Sequence, residues 1–566
     1  MDLFPFIKKS FEKTSFRSIT IPEATMPRQD GERLFIEPEL LKQAAEEAFR
    51  DLAFYFRENQ LRLLGMKLLG ADDEGANSGK NKIGDNDRFV IESLLANTVI
   101  AARGEFPLCQ DTGTAIVYAW KDEGLCTGAR DSEALKAGAK AAYSQYGLRF
   151  SQVAPKSFLD EYNTGDNLPA QIHIEAVPSK EADPVYRFLF VAKGGGSTNK
   201  TAYFASTPAL LQHDVFLTFL EEKIKALGTA GCPPYRIAVV AGGLSPEQNL
   251  EVLKLATAEA LDTVPYFETP GIDASLFIHR DKYWEEKVME IGRNTGLGAQ
   301  FGGKNFILDA RVLRLPRHAA TFPVSIGVSC VAHRNMYAYI DKNGLHLEKL
   351  INEPKAFLET LNINIKKTED SISSQDTQID INLPMRDVCK KLSHLSPGDK
   401  IFLTGKLIVA RDLAHLKWHH LISQGKDLPE YVKNHPVYYA GPAGTPPGRH
   451  IGSLGPTTAQ RMDPYGEELL SRGYSLISLA KGNRTQLWTQ ACKNHGGFFL
   501  GTIGGAAALL AQYVTANELV DYPELGMEAV RLISVEKLPA FIIIDDKGND
   551  LYRGLGIGDW GTRGLS

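Results

Sequence analysis

Apolar residues recur along this chain with two different periods, and the change of period divides it. Over Pro38 to Leu69, leucine, alanine and phenylalanine fall three and four apart, which predicts helix. Ser132 predicts the N-cap of a second helix that stops near Gly147. Ser245-Pro246-Glu247-Gln248 joins an N-cap, a proline at the first helical position and a capping-box glutamine, ahead of an Ala/Leu-rich helix to about Leu261. Between these, Gln171 to Ala176, Tyr186 to Ala192 and Ile237 to Ala241 alternate or run β-branched and aromatic, as strands do. They lead into glycine clusters such as Gly194-Gly195-Gly196 and Gly242-Gly243. The first half is therefore expected to be mainly helical, with strands intervening.

The pattern lapses at Lys366 to Asp380, KKTEDSISSQDTQID, which has too few apolar residues to bury and reads as a linker. Beyond it, Lys400 to Val409 predicts strand, Arg411 to Gln424 helix, Ser475 to Leu479 strand, and Arg484 to Asn494 a helix ending at Gly496. Phe541 to Ile544 predicts a strand entering the turn Asp546-Lys547-Gly548-Asn549. Strands alternating with helices point to a smaller α/β domain. The expected division is an N-terminal extension over 1–37, a domain over 38–365, a linker over 366–380 and a second domain over 381–566.

Composition agrees with two domains, because 566 residues exceed what one core normally organises. A net charge of −5 gives no electrostatic case for nucleic acid or an anionic membrane as partner. The apolar run Ile503 to Val514 is too short to span a membrane and contains Gln512. Six cysteines in so long a chain do not make a disulfide framework, so reduced thiols in a reducing compartment are expected, the cytoplasm first. Met1 to Thr20, with Lys8, Lys9, Lys13 and Arg17, reads first as a flexible tail; the alternative is a transit peptide, which would place the chain in the mitochondrial matrix.

Three cysteines stand in loop-like settings crowded with Gly, Pro, Ser, Thr or Asp: Cys109 in PLCQDTGT, Cys232 in GTAGCPPY and Cys330 in GVSCVAHRN. Three thiolates cannot fill four metal positions, so a site built from them keeps one position open for chemistry. The bland alternative is a small buried hydrophobe, and it is the reading for Cys126, Cys389 and Cys492. Spacing does not decide for the other three, since none belongs to a C-x-x-C pair. Two glycine loops, Lys193 to Ser197 and Gly296 to Lys304, could cradle an anion on backbone N–H groups or be tight turns. Arg411, Arg461 and Lys481 lie beside glycines or strand ends, where they suit carboxylates or phosphates unless they are solvated surface charges.

Taken together, PLCQDTGTA, NTGDNLPAQI, AKGGGSTNK, GTAGCPPY, GLGAQFGGK, RLPRH, GPTTAQRMD, AKGNR and YPELGMEAV, with a downstream DDKGND, resemble the class I, iron–sulfur-dependent fumarate hydratases in kind and order. The match runs from about Pro38 to about Tyr552. The resemblance implies a [4Fe–4S] cluster on Cys109, Cys232 and Cys330 with one iron free of protein ligands. It also implies a two-domain α/β fold: a larger, mixed α/β N-terminal cluster domain, a smaller C-terminal α/β domain, an active site between them, and a homodimer. Matching positions imply substrate contacts for Gln110, Asp111, Arg149, Gly196, Arg411, Thr457, Arg461 and Lys481, with His318 also in the site. Ala410 before the arginine, and Ala319-Ala320 after the histidine, are small-for-small departures from the family pattern. The expected reaction is reversible hydration of fumarate to (S)-malate. Thr457 is expected to be the base at the C–H carbon, and Asp111 or His318 to manage the proton on the departing hydroxyl. Competing readings are a mesaconate or tartrate hydro-lyase of related sequence, and a non-catalytic iron–sulfur sensor.

Overall fold

Strand Tyr186–Lys193 is buried along its whole length, and its alternation sorts two cores. Tyr186, Phe188 and Phe190 face one apolar cluster, filled by helices Pro38–Phe54 and Asp131–Gln145. Leu189 and Val191 face another, shared with strand Tyr235–Gly243 and helix Pro246–Thr257. The computed structural model that shows this describes residues 2–70, 83–178, 183–269, 277–365 and 376–557.

Two sheets organise the first half. The six-stranded sheet runs Phe16–Ser18, Gly344–Glu348, Asn335–Asp341, Tyr186–Lys193, Thr114–Asp122, Gln171–Val177, and only its last pair is parallel. The five-stranded sheet centres on Tyr235–Gly243, parallel to Ile307–Arg317 and antiparallel to Val324–Ser329. The expectation of a mainly helical first half is thus corrected. Ile307–Arg317 did not read as strand because its buried positions include Arg311, paired with acids rather than apolar neighbours.

Several boundaries also move. The helical stretch Pro38 to Leu69 is two helices, Pro38–Phe54 and Glu58–Leu69, parted where Phe56 accepts a bond from Ile351 N at 2.9 Å. Ser132 lies inside helix Asp131–Gln145, whose N-cap is Arg130. Ser245 does cap its helix, accepting from Gln248 N, but that helix ends at Thr257, short of Leu261.

The C-terminal sheet has seven strands, in the order Thr377–Asp380, Lys400–Val409, Val437–Tyr438, Ile477–Ala480, Phe498–Gly501, Val530–Ile544, Val514–Asp521. Lys400–Val409 also pairs with Val530–Ile544, which closes the sheet on itself and removes the edges there. Helices Asp412–Ser423 and Gln486–His495 follow their strands as expected, the second ending at Gly496 in the left-handed region. Phe541 to Ile544 is the last part of a much longer strand. Thr377–Asp380, inside the expected linker, is a strand, and residues 366–375 of that linker lie outside the described residues.

The halves are not separate cores. Phe89 meets Phe402 and Phe541 edge-on at 6.2 and 6.0 Å, and Phe301 stacks on Phe541 at 4.1 Å, within one continuous cluster. The N-terminal residues also differ from a loose tail. Helix Phe4–Glu12 buries Phe6, Ile7 and Phe11, and Phe16–Ser18 is an edge strand of the six-stranded sheet. No described helix is long and apolar enough to cross a membrane.

Deleting residues 2–18 should lower stability by about 5 kcal/mol, since three large apolar side chains lose their burial at about 1.5–3 kcal/mol each. An unchanged denaturant midpoint in the deletion variant would show that this segment is not part of the folded unit.

Candidate active site

Three loops carry the three cysteines to one place. The Cys109 loop runs into strand Thr114–Asp122. Tyr143 hydroxyl donates to Gly113 O at 2.7 Å, and Asn97 Nδ2 donates to Leu108 O at 3.0 Å. Gly113 has φ 90 and lies so near the Ala192–Lys193 backbone that a Cβ there would stand 2.9 Å from it. The Cys232 loop is pinned by the Tyr235 hydroxyl, which accepts from Gly231 N and donates to Gly228 O. Cys232 itself adopts φ 62, a left-handed conformation costly for a residue with a side chain. Val331 N donates to Cys232 O at 3.0 Å, which sets the Cys330 loop beside it.

A buried ion network underlies the Cys330 loop. Glu259 is met by Arg236 at 2.5 Å, Arg57 at 3.2 Å, Arg311 at 3.4 Å and His333 at 3.1 Å. Burial works against its charge, but these cations outweigh that and hold its pKa well below the carboxylate range. An ionised carboxylate only accepts, so His333 Nε2–H donates to Glu259 and Nδ1 accepts from the Ser329 hydroxyl at 2.7 Å. Gln60 Nε2 donates to Val331 O at 2.8 Å and Gln60 Oε1 accepts from Arg236 Nε at 2.8 Å. Both residues flanking Cys330 are thereby tied to the network.

All six cysteines are free. Burial pushes the Cys109 thiol up to about 12, against the pull of Arg334, and Asp111, Cys330 and Cys232 add to the rise. Burial also raises Cys232, although Lys481 Nζ donates to its Sγ at 2.8 Å. Burial thus favours the protonated thiols, and a metal bound here would have to displace their protons. Among the described residues no three His, Cys, Asp or Glu side chains could hold a single metal ion. A four-iron cluster makes a different demand, because its thiolates bind separate irons. Three mutually interacting cysteines, with Lys481 facing all of them, suit that donor set. Cys126, Cys389 and Cys492 lie elsewhere, and Cys492 is buried beside Gly497.

The cations line a cleft of about 1210 Å³, together with Gln110, Asp111, Gly196 and Thr457, and Lys481 links it to Cys232. Lys481 follows strand Ile477–Ala480, and its backbone N donates to Thr457 O at 3.1 Å. The buried pair Arg484–Asp463, at 2.7 Å, locks the 481–485 and 457–463 loops together. Arg461 Nη2 donates to Thr457 Oγ1. Arg411 is buried and pairs with Glu528 at 2.5 Å, while its Nε and that of Arg149 have no hydrogen-bond partner among the described residues. Burial and the neighbouring Arg149 guanidinium lower the Arg411 pKa, as expected of cations gathered without enough anions.

On the opposite wall Asp111 Oδ2 accepts from Gly195 N at 2.8 Å, so the triple-glycine loop does present an N–H group to an anion, one from its own chain. A Cβ on Gly196 would stand 3.4 Å from Lys481 Nζ. The second glycine loop is likewise filled from within: Asp87 accepts from Ala299 N, Lys304 N and Asn305 N at 2.5, 2.8 and 3.1 Å. His318 does not line the cleft of this chain; it sits on an exposed turn after strand Ile307–Arg317. Lys200 and Glu528 line the cleft and were not singled out from sequence, although both stand within the matching motifs. Burial, with Lys481 nearby, holds Lys200 below the ordinary lysine range.

A cleft where arginines and lysines gather, one of which bonds to a buried thiol, suits an enzyme handling a small anion. The comparisons name the family. The Fumarate hydratase (Fumerase) model matches residues 43–339, and the Fumarase C-terminus model residues 344–555. The anaerobic class I fumarate hydratase of Escherichia coli K12 is 45% identical over 96% of this chain and 95% of its own. Fumarate hydratase 2 of Leishmania major is 46% identical over 92% and 87%, and its mitochondrial fumarate hydratase 1 is 41% identical over 97% of both chains. This chain belongs to the class I fumarate hydratase family, whose members are hydro-lyases.

Two buried histidines support the site, and both are held neutral. Burial lowers His333 to about 4, and lowers His415, whose Nδ1 lies 2.8 Å from Arg411 O, to about 4. In the unfolded chain each takes a proton near pH 6.5, so acid favours unfolding and the stability they allow at neutral pH is lost as pH falls below that value. From pH 8 to pH 5 each should remove about 2 kcal/mol. Denaturant titrations of wild type and His415→Phe check this, the variant being expected to show the shallower acid loss.

Proposed function

We propose that this chain interconverts fumarate and (S)-malate in the cleft between its two halves, with Cys109, Cys232 and Cys330 holding a [4Fe–4S] cluster. When bound, the cluster would supply a Lewis-acidic iron without a protein ligand, which makes hydroxide a better leaving group. Arg411, Arg461 and Lys481 hold the distal carboxylate, while Arg149, Gln110 and Gly196 orient the substrate. These cations also favour the charge that builds on the carboxylate as the C–H proton leaves.

Thr457 is the proposed base, and the observation that carries the reading is the bond Arg461 donates to Thr457 Oγ1. A threonine hydroxyl is far too weak an acid to serve unaided, and an adjacent guanidinium stabilises its alkoxide. Asp111, oriented by Gly195 N, manages the proton on the departing hydroxyl. His318, on its exposed turn, has no such position within this chain.

Full-length similarity to fumarate hydratases favours fumarate over tartrate. Mesaconate differs by one methyl group, which a pocket distinguishes by about 1–3 kcal/mol, so side activity is part of the proposal. Two domains packed through the shared apolar core, and a homodimer, complete the reading. The packed helix Phe4–Glu12 favours retention of this segment in the folded protein.

The test is anaerobic reconstitution with iron and sulfide, followed by loss of fumarate absorbance. Thr457→Ala should lower kcat by about 10²–10⁴ with iron content unchanged; near-wild-type turnover would remove the base assignment. Cys330→Ser should lose cluster absorbance and activity together. Among substrates, kcat/KM should rank fumarate above mesaconate and mesaconate above tartrate, and a preference for tartrate would overturn the substrate.

A further inference from the structure

Gln300 is buried at 2% exposure and joins three parts of the molecule. Its Nε2 donates to Gly504 O at 2.8 Å and to Pro233 O at 3.2 Å, and its Oε1 accepts from Gly504 N at 2.7 Å. The side-chain amide thus satisfies both backbone groups of one C-terminal residue and reaches the residue directly after Cys232. The Tyr552 hydroxyl donates to Gln300 O at 3.0 Å, so the backbone of Gln300 is held as well.

Gly504 is not an incidental partner. A Cβ built on it would collide with Cys232 Sγ and stand 3.2 Å from Lys481 Cδ. The C-terminal backbone therefore lies directly against the thiol, on the side where Lys481 Nζ donates to it. The loop that presents Gln300 is fixed in turn by Asp87, which gathers the N–H groups of Ala299, Lys304 and Asn305. Asn86 Nδ2 meanwhile donates to Phe301 O at 2.9 Å and Gly398 O at 3.0 Å, one in each half.

We infer that Gln300 is a positioning residue that sets Cys232 against the C-terminal half and so fixes both the cluster ligand and the lysine that bonds to it. The inference rests on the proposed cluster at Cys109, Cys232 and Cys330. Gln300 does not line the cleft, and its side-chain bonds go to Pro233 and Gly504, through which it acts. Hydrogen-bond partners behind a metal ligand typically change metal affinity 10–100-fold when lost.

Two substitutions in the full-length chain separate this role from a general structural one. Gln300→Met keeps the shape and removes all three bonds; Gln300→Ala removes the shape too. Iron release to a chelator is followed in the anaerobic holoprotein. Alkylation of Cys232 and Cys109 is followed by mass spectrometry after the metal has been removed. Iron release should quicken about tenfold or more in Gln300→Met, and alkylation of Cys232 should rise by a larger factor than that of Cys109. Equal rises at the two thiols would mean general loosening and would overturn the inference, as would iron release at the wild-type rate. If Gln300→Ala fails to fold, Gln300→Met alone decides. Wild-type protein that carries no iron–sulfur absorbance would instead remove the cluster reading, and the thiol ratio would still test the positioning of Cys232.

Discussion

The meeting of Cys232 with the C-terminal half constrains everything around it. One sulfur receives Lys481 Nζ at 2.8 Å and lies against Gly504, a position with no room for a Cβ. Both partners come from a part of the chain about 250 residues away, so the site exists only once the halves are packed. The shared core of Phe89, Phe301, Phe402 and Phe541 provides that packing. Apolar surface buried between the halves opposes their separation. The geometry accordingly favours a pre-assembled cleft over one built by a wide hinge motion.

Electrostatics divide the molecule into a balanced region and an unbalanced one. Beneath Cys330, arginines and acids are interleaved, with Arg236 between Glu259 and Asp309 at 2.5 Å each. Breaking such a buried pair strands a charge, so the network holds its loop rigidly. In the cleft the balance is absent. Arg149, Lys200, Lys223, Arg411, Arg461 and Lys481 line it against the carboxylates of Asp111, Glu222, Asp463 and Glu528. In the proposed reaction a dianionic substrate would offset the excess of positive charge.

The C-terminal strands and helices were legible because their apolar runs stay intact between glycines and caps. The strands of the first half were harder to see. Ile307–Arg317 spends buried positions on Arg311, and its alternation is thereby disguised. The three cysteines and four cations were legible through family motifs; the four cations line one cleft and Lys481 reaches Cys232, whereas His318 does not line the cleft of this chain. Gly296 to Lys304 could be read as an anion cradle, and so it is, but its anion is Asp87, some 210 residues earlier in the chain. No local pattern pairs two such segments. Gln300 stood inside a quoted motif, yet an amide carries no chemical signal until its partners are known.

The gathered positive charge also bears on the proposal that a threonine stands where most enzymes place a histidine or a carboxylate. A carboxylate base would be neutralised by the arginines meant for the substrate, and it would repel the dianion. A neutral hydroxyl does neither. It becomes basic only to the extent that the surrounding cations stabilise its alkoxide, and Arg461 already donates to Thr457 Oγ1. The same cations favour the carbanionic charge that appears once the proton has moved. On this reading the arginine field acts twice, on the base before proton transfer and on the substrate after it. The Arg484–Asp463 lock, which holds Thr457, Arg461 and Lys481 in one arrangement, then matters as much to the chemistry as any group in direct contact with substrate.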